Sequence, residues 1–240
     1  ALALGQLGKI YWAFDLFSHF TWLYLLSSII GIFVFRRIFI KVCFCIMALA
    51  LLYISMQPIY FVPSRMAQPQ NTVSLVSYNL SFDHTDKIRE LIKLEAEMYD
   101  PNLVLFAIEY GSEWDEVFKL KHKDLYQCGK TDDSPFGLAL YSPLKLDSCD
   151  ILYPIDGLKQ YPYIRAEHQG LVIYGIHPPP PINSELANIR DQSLMNLAVK
   201  IGNEKSDAVI VMGDFNISPY SPIFKDFVST ARVFETKNRL

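Results

Sequence analysis

Two long stretches without charge dominate the first part of the chain. Residues 20–35 and 42–62 contain no charged side chain, and the turns before residue 20 are also largely apolar. A helix needs about 20 apolar residues to cross the hydrocarbon core of a bilayer. The pattern therefore predicts a membrane anchor over residues 1–63, with spans at about 10–35 and 42–62. The alternative is a pair of buried core helices, which rarely run this long without a charge.

Beyond a predicted linker at residues 64–71, the pattern changes to short segments typical of a globular domain. Short apolar segments, and segments in which apolar and polar residues alternate, predict strands. Apolar residues three or four positions apart predict helices. The predicted strands are 72–78, 103–108, 137–141, 151–153, 163–166, 171–176 and 208–212. The predicted helices are 86–99, 113–120, 184–201 and 221–230. This mixed order, with a hairpin at 168–170, favours a sheet-rich α/β layered domain.

Charge is divided unevenly between these two parts. Residues 1–70 carry five basic side chains and one acidic one, a net charge of +4, and the rest of the chain carries −7. Arg36, Arg37 and Lys41 lie in the short connection between the predicted spans. Basic residues in short loops stay on the cytoplasmic side of a membrane. We therefore expect residues 64–240 on the opposite, extracytoplasmic side.

Polar residues in and after the apolar part leave two questions open. Asp15 and His19 are four positions apart, so one helix face would carry both. An ionisable residue inside a membrane is a functional candidate, but these two lie close to the outer interface, and we interpret them as an interfacial polar pair. Cys128 and Cys149 match no metal-binding spacing. A disulfide between them is permitted outside the cytoplasm, and the sequence favours neither the paired nor the free state.

Four predicted strands end on polar side chains suited to metal and phosphate chemistry. These are Asn79, Glu109, His177, and Asp214 with Asn216 in the sequence Gly-Asp-Phe-Asn. Strand ends meet at the rim of a sheet, where sites are commonly built. A glutamate is a hard oxygen ligand suited to Mg²⁺ or Mn²⁺, and a histidine can stabilise or protonate a phosphoryl oxygen near neutral pH. Each residue alone is explained as a rim or turn residue, but the ordered set is more specific.

The ordered set resembles the endonuclease/exonuclease/phosphatase superfamily over about residues 72–232. It consists of Asn79, Glu109, residues 137–142, His177 and residues 213–216. The proline run after His177 and the apolar N-terminal hairpin resemble the bacterial membrane-anchored branch of this superfamily, which includes glycopeptide-resistance membrane proteins. The resemblance implies an α/β (α+β) four-layer sandwich of two packed β-sheets flanked by helices, preceded by two transmembrane helices.

The resemblance also implies roles for individual residues. Glu109 would hold a divalent cation, Mg²⁺ or Mn²⁺, with Asn79 close to both the cation and the substrate. Asp214 would orient or activate the attacking water, and Asn216 would contact the phosphate. His177 would donate a hydrogen bond to a phosphate oxygen and stabilise the pentavalent transition state, which requires charge neutralisation and an oriented water.

Arg190, on the helix after the proline run, is a further candidate for contact with the phosphate. The alternative interpretation of Arg190 is an ordinary surface arginine.

One part of the superfamily pattern is missing. Its members carry an Asp-His pair on a late strand, whereas no histidine follows His177 here. The Asp83-His84 pair lies four residues after Asn79, does not match that position, and is better explained as a turn or a helix cap. We therefore expect the domain of residues 72–240 to be incomplete at its C-terminal end, and this polypeptide to have little or no catalytic activity.

Three functions remain open from the sequence. The first is a metal-dependent phosphoesterase in the bacterial plasma membrane, hydrolysing a phosphate ester or pyrophosphate, such as a lipid-linked one, on the extracytoplasmic side. The second is a nuclease, although nucleic-acid binding usually requires a basic surface and the domain carries −7. The third is a non-catalytic binding module, if the natural chain ends at Leu240.

Overall fold

The computed structural model describes residues 2–56, 73–80, 103–121 and 123–234. The predicted linker 64–71, the predicted helix 86–99 and the Asp83-His84 pair lie outside these ranges. The chain divides into two compact units. The sheet unit consists of Met66–Pro179 and Gln192–Asn216, and the anchor unit consists of Ala1–Arg65, Pro180–Asp191 and Ile217–Leu240.

The described part of the sheet unit contains eight strands in two four-stranded sheets. The strands are β1 (Ser74–Asn79), β2 (Leu103–Ile108), β3 (Tyr126–Lys130), β4 (Leu138–Ser142), β5 (Ser148–Leu152), β6 (Tyr163–His168), β7 (Leu171–Ile176) and β8 (Ala208–Gly213). The strand orders are β1-β2-β4-β3 and β5-β6-β7-β8. The β1/β2 and β7/β8 pairs are parallel and the other pairs are antiparallel. The predicted fold of two packed, mixed sheets flanked by helices is confirmed.

The described helices agree closely with the predicted ones in the domain. They are α1 (Leu2–Gly5), α2 (Trp12–Asp15), α3 (Thr21–Val34), α4 (Ile38–Met56), α5 (Ser112–Lys121), α6 (Ser184–Gly202) and α7 (Pro222–Ala231). A 3₁₀ turn, Leu16–Phe20, connects α2 to α3. The α7 helix begins at an N-cap serine, Ser221, whose Oγ accepts a hydrogen bond from the Ile223 amide at 3.2 Å. Such caps satisfy amides that have no partner inside the helix.

Strand β2 forms the centre of the sheet unit because both of its faces are buried. One face joins the core between the two sheets, together with side chains of β6, β7 and β8: Val104, Phe106, Ile108, Ile164, Ala166, Ile173 and Met212. The other face packs against α5 and comprises Leu105 and Ala107, with Trp114 and Phe118 opposite. The sheets approach closely at Gly175, where an added Cβ would lie 2.4 Å from the Phe106 ring.

A disulfide joins the two sheets at one side. Cys128 of β3 and Cys149 of β5 are bonded, with their Cα atoms 6.2 Å apart. Both strands are edge strands, and they contact each other across the sandwich. The edge strands β1 and β8 contact each other on the opposite side. The structure thereby answers the question of pairing that the spacing of these cysteines left open.

The N-terminal helices present a mostly apolar surface. Among the described residues, one helical stretch, Trp12–Val34, is long and apolar enough to cross a membrane. The second predicted span coincides with α4, whose apolar part Ile38–Ile54 is shorter, and the predicted continuation to residue 62 lies outside the described ranges. In the part of the chain that the structure describes, one candidate span, and not the expected two, meets the length and composition of a membrane helix. The α3 and α4 helices pack closely, with Gly31 against the Phe44 ring.

Candidate functional site

The parallel pairing of β1 and β2 places two of the predicted site residues side by side. Asn79 at the end of β1 is in register with Ile108, so Glu109 follows directly beside it. The Asn79 side-chain amide donates to Glu109 Oε1 at 2.9 Å. This hydrogen bond fixes the orientation of the Glu109 carboxylate, and the predicted proximity of the two residues is present in the structure.

In the second sheet, the parallel pairing of β7 and β8 likewise places two predicted site residues side by side. Ile176 is in register with Gly213, so His177 and Asp214 leave the sheet as neighbours. Gly213 has φ +136, and a Cβ there would lie 2.0 Å from the Ile176 carbonyl oxygen. Glycine is therefore required at this position, because other residues are strained in this region and would collide with β7.

The carboxylates of both pairs act electrostatically on the His177 ring. His177 is 4% exposed, and burial lowers the pKa of its ring. The carboxylates of Asp214 and Glu109 and a backbone hydrogen bond at Pro135 oppose this shift, so the ring lies near carboxylates from both sheets. Burial outweighs these effects, so the net shift of the His177 pKa is downward. Its buried Nδ1 has no hydrogen-bond partner among the described residues.

Asn216 has a role that the sequence prediction did not include. Its backbone amide donates to Asp214 Oδ1 at 2.9 Å, which orients that carboxylate. Its side-chain amide donates to the Pro178 carbonyl, also at 2.9 Å, and so joins the loop after β8 to the loop after β7. Asn216 has φ +49, a left-handed conformation that asparagine tolerates better than most residues. The predicted contact between Asn216 and a phosphate stays a prediction.

Glu109 also has an unusual backbone conformation, with φ +58. Such conformations cost free energy in non-glycine residues and cluster at functional sites. Hydrogen bonds on both sides hold the segment in place. The Leu80 amide donates to the Ile108 carbonyl at 2.9 Å, and the Tyr110 amide donates to the Gly137 carbonyl at 2.9 Å.

The loop between β3 and β4 contributes one aromatic residue, Phe136, that sequence reasoning missed. The Phe136 ring lies 5.9 Å from the His177 ring and 4.6 Å from the Tyr161 ring, measured between centroids. The Asp132 amide donates to the Tyr110 carbonyl at 3.2 Å, which holds this loop beside the residue that follows Glu109. The Ser-Pro-Phe-Gly sequence of the loop signals only a turn, so its proximity to His177 was not predictable.

Arg190 occupies a position in the anchor unit that neither interpretation anticipated. Its side chain is 0% exposed, and Nη2 lies 3.0 Å from Asp15 Oδ2 and 2.7 Å from Asp191 Oδ1. The surface interpretation of Arg190 is therefore wrong. Because two carboxylates already engage the guanidinium, the structure gives no support to the predicted contact with a phosphate. The expected pairing of Asp15 with His19 is replaced by this pairing with Arg190.

The donor set at the strand ends suits a hard divalent cation. Glu109 supplies a carboxylate, and the adjoining Asn79 supplies an amide oxygen. Mg²⁺ is usually bound by one or two carboxylates together with waters and substrate phosphates. The described residues contain no group of three or more His, Cys, Asp and Glu side chains able to hold a metal ion. The pair of Glu109 and Asn79 is therefore of the open, oxygen-donating kind that binds a hard divalent cation together with waters and substrate.

Comparison with known proteins agrees with the two-sheet fold. A family model described as the endonuclease/exonuclease/phosphatase family matches residues 76–236. The structure is similar to D. rerio TDP2 complexed with a single-strand DNA product, at 19% identity and a TM-score of 0.53, covering 68% of this chain and 66% of that one. It is also similar to the 3′ phosphatase NExo from Neisseria bound to a product DNA hairpin, at 14% identity and a TM-score of 0.53, covering 67% and 70%. The chain thus spans about two thirds of the length of either protein. No curated protein matches the sequence significantly.

Proposed function

This chain belongs to the endonuclease/exonuclease/phosphatase family, and we propose that it is a membrane-anchored, divalent-metal-dependent hydrolase of phosphate esters or pyrophosphates. The observation that carries the proposal is the convergence of two residue pairs, one from each sheet. Asn79 and Glu109 come from the first sheet, and His177 and Asp214 come from the second. A carboxylate and an amide suited to a cation, a second carboxylate for the attacking water and a buried histidine together suit hydrolysis at phosphorus.

The residues divide the reaction between them. A water oxygen attacks phosphorus and Asp214 accepts a proton of that water, while the bond to the leaving oxygen breaks and that oxygen keeps the bonding pair and takes a proton from solvent. The Asn216 amide keeps the Asp214 carboxylate in one orientation. His177 would donate a hydrogen bond to a phosphate oxygen from its buried Nδ1 when that nitrogen carries a proton. Glu109 and Asn79 would hold the cation, which when bound supplies charge neutralisation for the phosphate.

The proposed location is the extracytoplasmic face of a bacterial plasma membrane. Trp12–Val34 meets the length and composition of a span. Large apolar side chains of α3 and α4 are exposed, as a lipid environment requires: Trp22, Leu23, Leu26, Ile30, Phe33, Phe39, Ile46, Leu49 and Tyr53. The disulfide between Cys128 and Cys149 supports an oxidising compartment, because structural disulfides are rare in the cytoplasm.

A site anchored to a bilayer favours a phosphate that is itself held in the bilayer. We therefore propose a lipid-linked phosphate or pyrophosphate, such as a cell-wall carrier lipid, as the substrate class. A nuclease activity is the second candidate, because the similar TDP2 and NExo structures contain DNA products. The net charge of −7 over residues 71–240 weighs against DNA, since a polyanion is repelled by an acidic surface.

The experiment compares two substrates with the full chain in detergent. Phosphate release from a polyprenyl pyrophosphate and cleavage of plasmid DNA are measured with Mg²⁺ and with Mn²⁺, alongside Mn²⁺ binding by electron paramagnetic resonance. Glu109→Gln should abolish Mn²⁺ binding, and Asp214→Asn should abolish whichever hydrolysis is found. Asp156→Asn, at an exposed position, is the matched control. Undiminished Mn²⁺ binding by Glu109→Gln would refute the metal assignment, and DNA cleavage alone would favour the nuclease.

A further inference from the structure

A buried ion pair joins the N-terminal helices to a distant part of the anchor unit. Arg190 Nη2 lies 3.0 Å from Asp15 Oδ2, and both side chains are 0% exposed. The two residues are 175 positions apart in the sequence. Charges leave water only at a large cost, so a buried pair forms where the surrounding structure holds both partners in place. Arg190 also contacts Asp191 Oδ1, at 2.7 Å.

Further contacts join the same segments. The buried Ser218 hydroxyl donates to the Ser18 carbonyl at 3.1 Å. The Gln6 side-chain amide donates to the Tyr220 carbonyl at 3.4 Å. At the surface, Lys9 Nζ lies 2.5 Å from Asp226 Oδ2. Residues 6–18 therefore contact both the turn before α7, at Ser218 and Tyr220, and α7 itself, at Asp226. The contacts involve backbone and side-chain groups.

The partner segments belong to the family domain. Residues 180–191, with Arg190, and residues 217–231, with Ser218 and Tyr220, lie inside the region matched by the family model, 76–236. Asp15, by contrast, lies in the apolar stretch Trp12–Val34. A carboxylate in such a stretch is costly unless it has a partner. Arg190 is that partner, and it comes from the domain and not from the anchor itself.

We propose that the N-terminal segment is docked onto the family domain through the Asp15–Arg190 pair and is part of the fold of that domain. The docking surface is the start of α6 with residues 218–226, and its occupant is residues 6–21 of the same chain. A flexible tether would need none of these contacts. The proposal does not depend on the proposed hydrolysis, because it concerns contacts that form whether or not the site is active.

Cleavage of the connection between the two segments tests the proposal. A protease recognition sequence is inserted between Met66 and Pro69 in the full chain, which is then reconstituted in phosphatidylcholine vesicles. After cleavage and a wash at 1 M salt, which screens surface electrostatic adhesion, the C-terminal piece should remain with the vesicles. Release of that piece from the wild-type protein would overturn the proposal, since a tethered domain detaches once its link is cut.

Two variants test the ion pair itself. Arg190→Met leaves the buried Asp15 carboxylate without this partner, so it should release the cleaved domain and lower the unfolding midpoint by roughly 10 °C. Asp15→Asn removes the charge that reaches Arg190 from the N-terminal segment, so it should also release the cleaved domain, with a smaller shift of the midpoint because Asp191 still contacts Arg190. Lys9→Met is the matched control, because it removes an ion pair between the same segments that is half exposed and weak. Retention and an unchanged midpoint in both variants would overturn the role of the pair. If a variant fails to fold, the cleavage of the wild-type protein still decides whether the segments are docked.

Discussion

Asn216 donates a hydrogen bond from its side chain to the backbone carbonyl of Pro178 across 2.9 Å. This bond ties the loop that carries Asp214 to the loop that carries His177. The relative position of the proposed water-activating carboxylate and the proposed phosphate-binding imidazole thus depends on a third side chain, which also orients the carboxylate through its backbone amide.

Asn216→Asp should disturb the site without altering the backbone preference. Aspartate tolerates the left-handed conformation, but it replaces the donor with an acceptor opposite the Pro178 carbonyl. Leaving that carbonyl facing another acceptor should cost about 1–3 kcal/mol of unfolding free energy, measured by urea denaturation. Asn203→Asp, at an exposed turn, is the control. A variant as stable as the wild type would show that this bond does not hold the loops together.

Asn79→Ala should weaken cation binding without removing a carboxylate. Asn79 orients Glu109 through a hydrogen bond of 2.9 Å, and loss of such an orienting partner typically weakens metal affinity about 10–100-fold. Titration with Mn²⁺, followed by electron paramagnetic resonance, measures the effect. Ser77→Ala, an exposed position on the same strand, is the control. Wild-type affinity in Asn79→Ala would contradict a role of this residue in the metal site.

Gly175→Ala should destabilise the packing of the two sheets. The added Cβ would lie 2.4 Å from the Phe106 ring, and overpacking of this kind typically costs about 1–3 kcal/mol. Phe106→Leu in the same chain removes the ring that the new methyl group meets. The two substitutions together should therefore cost less than the sum of their separate effects in thermal unfolding. Strict additivity would show that the clash is relieved elsewhere.

Reduction of the disulfide should lower stability with no change in the described fold. Cys128 and Cys149 are separated by 21 positions, and closing a loop of that size is worth about 3 kcal/mol in the chain-entropy estimate. Unfolding of the wild type in dithiothreitol, compared with Cys128→Ser/Cys149→Ser, measures this. The double variant should be insensitive to the reductant. An effect of dithiothreitol on that variant would point to other thiols.

Acid should reduce the stability that Asp115 provides. Burial alone would raise the pKa of Asp115, but hydrogen bonds from Lys119, Gln127 and Tyr110 outweigh it and hold the pKa below its ordinary value of 3.8. A carboxylate with a lowered folded-state pKa contributes stability that is present above the unfolded-state value and is lost as the pH falls through the folded one.

Asp115→Asn should therefore cost about 1–2 kcal/mol at neutral pH, and its deficit relative to the wild type should shrink below about pH 4. Urea denaturation between neutral pH and strongly acidic pH measures the difference. Asp156→Asn, which is exposed, is the control. A deficit that stays constant with pH would show that the lost contribution is not ionic.

The strands and the strand-end residues were predictable because burial leaves a pattern. Strand β2 is buried on both faces and reads as a continuous apolar run. Glu109 is easily recognised in the sequence because it is the polar residue that directly follows this apolar run. By contrast, β3 (Tyr126–Lys130) is a half-exposed edge strand with a polar sequence, and it was not predicted. An edge strand pairs with only one neighbouring strand and is partly exposed to solvent, so its amino-acid composition is weakly constrained.

The residues that were missed act through contacts between distant segments. The burial of Arg190 depends on Asp15, and no local pattern around either residue indicates the other. The link from Asn216 to Pro178 likewise requires the parallel pairing of β7 with β8. Sequence patterns report the surroundings of a residue along the chain. Contacts across the fold depend on geometry that only the assembled sheets provide.

The covalent link between Cys128 and Cys149 closes the sandwich along one side only. On the other side, β1 contacts β8 without a covalent bond. Asn79 is the last residue of β1, and Asp214 directly follows β8. A phosphate that contacts residues from both sheets would therefore act there as a second, reversible cross-link. Substrate binding would therefore hold the two sheets together on the β1–β8 side, as the disulfide does on the β3–β5 side.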